Sequence, residues 1–190
     1  MKNKNTMHLA TAKLSKRFFA YLLDYYLGLL LCSLPIVLAN GIINHDERMQ
    51  MNLYFFDNDP IVLFAVAIIS LLFGYFYYLY IPVKKWKGQT LGKRLLKIKI
   101  IKIDNDDVDF KSMILRQVLG IFLIEGSIIS CSSVLRQLAT FITNINFVDL
   151  GMNIGIVITS ISCLMIFVTR KRSMIHDLIA KTYVVEALDN

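Results

Sequence analysis

Two carboxylates stand inside apolar runs of this 190-residue chain: Asp24 in the run from Phe18 to Ala39, and Glu125 in the run from Met113 to Val134. An aspartate in the middle of a membrane span costs ~2.5 kcal/mol or more on insertion scales, so each acid must face an interior and find a cation, a donor or a proton. Two chemistries answer to that pattern. In the first, Asp24 with Glu125 as partner is a protonatable or monovalent-cation-coordinating site, and Arg17 and Arg116 tune the carboxylates. In the second, the same residues are polar clamps that fix how helices pack. Arg17 lies seven residues before Asp24, on nearly the same helix face but ~10 Å away along the axis. A direct pair between them on one helix is therefore not expected.

The segment Gly88-Gln89-Thr90-Leu91-Gly92-Lys93-Arg94 invites comparison with a phosphate-binding loop. Three residues separate its glycines instead of four, and Arg94 stands where a magnesium-binding Ser or Thr is needed. A tight juxtamembrane turn is expected instead, with Lys93 and Arg94 at anionic headgroups. His176-Asp177 follows the cationic run Arg170-Lys171-Arg172 with no nucleophile at triad spacing, so a local hydrogen-bonding pair is expected. Gly151 and Gly155 make a small-xxx-small packing face, and Gly126, Ser127, Ser130 and Cys131 offer another. Either face could also build a homo-oligomer.

Cys32, Cys131 and Cys163 are odd in number and scattered through apolar runs, so they read as packing residues and not as a disulfide framework. With His8, His45 and His176 they show no ligand spacing, and neither a metal nor a cofactor is assigned. An intramembrane enzyme is not expected, because no Ser/His arrangement, paired intramembrane aspartates or zinc-binding His pattern appears.

The elements that must position these residues are membrane spans. Apolar residues make up 56% of the chain against 18% charged, a surplus that lipid accommodates. The net charge of +7 sits between apolar runs and not on a polar domain with interleaved aromatics, so nucleic acid is not the expected partner. Four runs, about 18–39, 61–83, 113–134 and 148–168, approach the ~20 residues that a helix needs to cross a bilayer. The first is read as a retained span and not a signal peptide, because of its length and the embedded Asp24. The third carries Arg116 and Glu125, and a half-inserted hairpin is its alternative. Lys and Arg number five before the first run, one before the second, nine between the second and third, one before the fourth and four after it. That alternation predicts four crossings with both termini in the cytoplasm.

In the central basic loop, Leu96 to Ile103 alternates apolar and basic residues with a phase slip at Ile100-Ile101, which predicts a bulged strand before the turn Asp104 to Asp107. Thr182 to Val185 is the expected partner strand. The predicted fold is thus a single all-α membrane domain over 1–190: a four-transmembrane-helix bundle with a small cytoplasmic β element between spans 2 and 3.

Taken together, Arg17-Phe-Phe-Ala-Tyr-Leu-Leu-Asp24, Gly88-Gln-Thr-Leu-Gly-Lys93 and Arg172-Ser-Met-Ile-His-Asp177, with Ala180, Thr182 and Val184-Val185, resemble the RDD family of membrane proteins, named for an arginine and two aspartates. Arg17, Asp24 and Asp177 match the three letters, and Arg116 matches a further arginine of the family. The resemblance implies a membrane protein, expected in the plasma membrane, and the Lys- and Ile-rich style of the sequence is compatible with a bacterium. The resemblance also implies either monovalent cation/proton antiport or an accessory role in a membrane complex. The expected partners follow: a bilayer with anionic cytoplasmic headgroups, monovalent cations and protons, and a second copy or another membrane protein.

Overall fold

The computed structural model describes residues 10–45, 51–125 and 130–187. Helix α1 spans Leu14–Ile43 and continues through Pro35. Helix α2 starts at Pro60 and runs to Tyr75, where Pro at the first helical position and the Asp59 side chain, accepting from Val62 N–H at 3.3 Å, settle its first turn. It continues as wider, π-type turns over Phe76–Lys85, where Pro82 supplies no N–H and Trp86 N–H reaches back to the Ile81 carbonyl. A short helix α3, Leu91–Leu95, leads into strand β1, Ile98–Lys102. Helix α4, Phe110–Ile114, opens on a capping box between Asp109 and Ser112 and passes into π-type turns over Leu115–Glu125. Helices α5, Ser130–Thr143, and α6, Phe147–Val168, follow, then the one-turn helix α7, Ile175–Ile179, and strand β2, Thr182–Glu186.

Among the described residues, three helices are long and apolar enough to cross a membrane: Leu14–Ile43, Pro60–Lys85 and Phe147–Val168. They contain the first, second and fourth expected spans. The third, 113–134, is not one continuous helix among the described residues. Its first part is the α4 helix with its π-type continuation, its second part is the start of α5, and 126–129, with Gly126 and Ser127, lies outside the described residues. Arg116, Gln117 and Glu125 are buried in the first part, so these polar residues face protein and are not carried along a lipid-facing rod.

The expected strands pair, antiparallel, with Ile98 opposite Glu186 and Lys102 opposite Thr182. The expected bulge is absent, since the register runs without a break. The phase slip has another cause: Ile100 packs with Ala12, Leu79 and Met113 on one face, whereas Ile101 packs with Tyr183 and Val185 on the other. Both faces of the strand are covered, so strict alternation is not required. The segment before α1 joins the other edge of β2, with Ala12 N–H donating to Val184 O and Glu186 N–H to Ala10 O, each at 3.0 Å. Both ends of the described chain therefore meet in one small sheet, at the end of the bundle where α1 begins and α6 finishes.

Candidate functional site

Helix α1 buries Ala20, Asp24, Gly28, Cys32, Ile36 and Asn40, one residue in four. Such a row is a ridge inclined to the helix axis, along which neighbouring helices lie. Asp24 is the one carboxylate on it. Its Oδ1 accepts from Tyr77 O–H at 2.7 Å and from Gly92 N–H at 2.9 Å. Its Oδ2 accepts from the Thr90 hydroxyl and from Lys93 Nζ at 2.8 Å. Each oxygen thus has two donors, all supplied by α2's π-type turns and the Gly88 to Lys93 segment.

That segment is folded to make this cage. Gly88 holds φ of +92°, and a Cβ there would collide with the Ile100 carbonyl. Its own carbonyl accepts from Ile100 N–H at 2.8 Å, and Gln89 Nε2 donates to Ile98 O at 2.9 Å, which ties the turn to β1. Gly92 lies so close to α1 that a Cβ would stand 2.6 Å from Ala20 O and 2.9 Å from Asp24 Oδ1. The turn expected at Gly88 to Lys93 is present, but Lys93 points inward at Asp24 and not outward to headgroups. Arg94 lies over the Trp86 ring at 5.0 Å.

Arg17 and Arg116 do not pair with Asp24. Both converge on Asp177, which is fully buried. Arg17 Nη2 donates to Asp177 Oδ2 at 3.0 Å, while its Nη1 donates to the Arg172 carbonyl. Arg116 Nη1 donates to Asp177 Oδ1 and, at 2.8 Å, to Thr182 Oγ1. Met174 N–H adds a bond to Oδ2 at 3.1 Å. Burial alone would push the Asp177 carboxyl up, but the guanidiniums of Arg116 and Arg17 and the Met174 N–H outweigh it and hold the group well below the usual carboxylate range.

Glu125 belongs to the same network through His176. Its Oε1 accepts from His176 N–H at 2.9 Å and from Ser162 O–H at 2.7 Å, and its Oε2 lies 2.7 Å from His176 Nδ1. The other imidazole nitrogen, Nε2, is 3.1 Å from Arg116 Nη2. A guanidinium can only donate, so that contact assigns Nε2 as acceptor and places the ring proton on Nδ1, facing Glu125. The chain Arg17, Asp177, Arg116, His176, Glu125, Ser162 is then continuous and joins α1, the 115–125 turns, α6 and α7. His176 and Asp177 do not make the local hydrogen bond expected from sequence: His176 Nε2 lies 3.9 Å from Asp177 Oδ2, and each side chain is held by other partners.

The two carboxylates singled out in the sequence, Asp24 and Glu125, therefore sit in separate clusters, each bonded to its own partners. Gly151 lies against the Arg136 side chain of α5, and Gly155 is buried within the bundle. Sequence reasoning missed Tyr77, Ser162 and Thr182 as partners. The hydroxyls in apolar surroundings were the available signal, because each needs a bond once removed from water. No group of three or more His, Cys, Asp or Glu residues that could hold a metal occurs among the described residues.

The model of the RDD family matches residues 11–181 of the chain, which takes in Asp24, Asp177, Glu125 and the charged partners of each, and stops just before strand β2. No curated protein and no solved structure matches it.

Proposed function

The chain belongs to the RDD family, whose members are membrane proteins, and from that premise we propose that it serves as a non-transporting accessory or assembly subunit of a membrane complex. One observation carries the reading: every oxygen of Asp24 and Glu125 is engaged by donors from the chain itself. The cation beside Asp24 is already present as the Lys93 ammonium. A transported ion would have to displace it along with three further donors, without water to compensate. The clusters instead do what clamps do, holding α1 to α2, α3 and the terminal segment.

In this reading α4 with the 115–125 turns and α5 together make a fourth crossing, the basic loop and the sheet face the cytoplasm, and the membrane is the plasma membrane. The charge distribution of the loops supports that orientation. Helix α6 turns Ile154, Val157, Ile161 and Leu164 outward, and this face meets lipid or the partner's helices.

The second reading is proton-coupled exchange of a monovalent cation, favoured by the 2.7 Å contact of Glu125 Oε2 with His176 Nδ1, two groups that can each carry a proton. Purified protein in sealed vesicles separates the two. The accessory reading expects no pH change on pulses of sodium, potassium or lithium, and a stoichiometric membrane partner on isolation in mild detergent. Cation-driven proton movement that disappears in Asp24→Asn or Glu125→Gln would overturn it.

A further inference from the structure

Cys32 on α1 and Cys131 on α5 are 99 positions apart in the chain, yet their Sγ atoms lie 2.8 Å from each other. Non-bonded heavy atoms normally stay ~3.5–4.0 Å apart, and a disulfide bond is ~2.05 Å long, so the pair stands between contact and bond. Both are free thiols and each is 1% exposed. The third wall of their site is Gly74 of α2, where a Cβ would press into Cys131 Sγ and stand 3.1 Å from Cys32 Sγ. The absence of a side chain at Gly74 is what lets the two sulfurs meet.

We propose that Cys32 and Cys131 are a redox-active dithiol, oxidised by a lipid-soluble quinone to a disulfide that staples α1 to α5. The balance is simple: two S–H bonds break, one S–S bond forms, and the two hydrogens reduce the quinone to its hydroquinone. Location selects the oxidant. Cys32 lies eight residues beyond Asp24, ~12 Å further along α1, with Tyr78, Phe122 and Leu31 packed around the pair. Disulfides of the glutathione type act from water, whereas a quinone dissolves in hydrocarbon. Closing the bond requires the two sulfurs to approach by less than ~1 Å. The inference does not depend on whether the protein transports anything.

The test uses the full chain with Cys163→Ala in lipid vesicles, since Cys163 is the exposed third cysteine on α6. A fully substituted lipid-soluble benzoquinone, which cannot add a thiol to its ring, is supplied, and the protein is then denatured and alkylated. Intact mass should show two alkyl tags before treatment and none after, with the untagged form lighter by two hydrogens than the reduced chain. Cys32→Ser in the same background should keep its single tag throughout. Two tags remaining after quinone treatment would overturn the proposal, as would equal loss of tags with oxidised glutathione outside the vesicles.

Discussion

Arg17 donates to Asp177 across 3.0 Å although 160 positions separate them. The first turn of the first span is thereby fastened to the last helix of the chain, and the same guanidinium also holds the Arg172 carbonyl that precedes that helix. A planar fork can serve two acceptors at once, which an ammonium on a flexible stem cannot do from one position. Two of the three residues that carry the resemblance to the family's name in the sequence thus form one contact. The third, Asp24, makes a different one with Lys93, so Arg17 and Asp24 act on separate parts of the molecule from the same helix.

Asp177→Ala should be the most damaging single substitution at this end. It leaves Arg116, only 3% exposed, without its counter-ion in a dry site. Breaking a buried pair by removing one partner costs about 3–5 kcal/mol. Thermal unfolding in detergent should drop accordingly, and Arg17→Lys should show a smaller loss because one of two bonds survives. Equal stability of Asp177→Ala and the native protein would contradict the clamp.

The same contact fixes a pH dependence. The Asp177 carboxyl is held well below its unfolded value, which is ~3.9 for an aspartate. A lowered native pKa gives stability that is complete above the unfolded value and is lost as pH falls through the native one. Between neutrality and about pH 4, this contribution should stay constant, and it should decline only in stronger acid. Asp177→Asn should remove that part of the acid limb. A loss of the Arg17 contact already complete near pH 5 would show that another group governs it.

At Asp24 the informative experiment is a double-mutant cycle. Lys93→Met leaves the carboxylate with Tyr77, Thr90 and Gly92 as donors, whereas Asp24→Asn leaves the Lys93 ammonium without a counter-ion. The two losses should not add. Coupling of about 0.5–3 kcal/mol is the range for groups in direct contact, measured by unfolding of the single and double variants. Additive losses would mean that Lys93 contributes nothing specific to the Asp24 cage.

How far these arrangements could be read beforehand differs from residue to residue. The apolar runs announce four spans because bilayer thickness imposes a length on any helix that crosses it, and three of the four are long apolar helices among the described residues. The Ile/Lys alternation announces β1, and its partner is legible in the β-prone Thr182 to Val185. The need of Asp24 for a partner is equally legible, since lipid gives it none. Which partner it finds is not. Arg17 is near Asp24 in sequence but points to Asp177, and Lys93 arrives from a turn 69 positions away. Such pairings depend on how α2 and α3 return to α1, which no local pattern encodes. The proximity of Cys32 and Cys131 is hidden for the same reason, and the passage of the third apolar run into π-type turns over Leu115–Glu125 is signalled only by its charged residues.

Backbone geometry at Gly88 leads to another expectation. A side chain at φ of +92° is strained wherever it is placed, at roughly 1–3 kcal/mol, and here it would also strike the Ile100 carbonyl. Gly88→Ala should therefore destabilise the sheet end and slacken the cage around Asp24, because the Gly88 and Ile100 backbone bond fixes where Thr90 and Gly92 stand. Hydrogen exchange at Ile100 N–H and at Gly92 N–H should accelerate together. Exchange that changes only at Ile100 would separate the turn from the cage.

The proposed fourth crossing makes the last prediction. Helix α5 has 14 residues, ~21 Å at the usual rise, against a hydrocarbon core of ~30 Å. It cannot cross alone, so the 115–125 turns must supply the remaining depth while their polar residues stay against α7. Leu53 N–H donates to Gln137 Oε1 at 2.7 Å, which places the later part of α5 beside the connection that follows α1, at the end opposite the sheet. In a chain without native cysteines, a thiol at Ile142 should react with an impermeant reagent outside intact cells, and one at Lys111 only after the cytoplasmic face is opened. Leu123, exposed on the protein surface yet facing lipid in this arrangement, should react from neither side. If Ile142 instead labels from the cytoplasm, the third segment is a hairpin that enters and returns, and the bundle has three crossings.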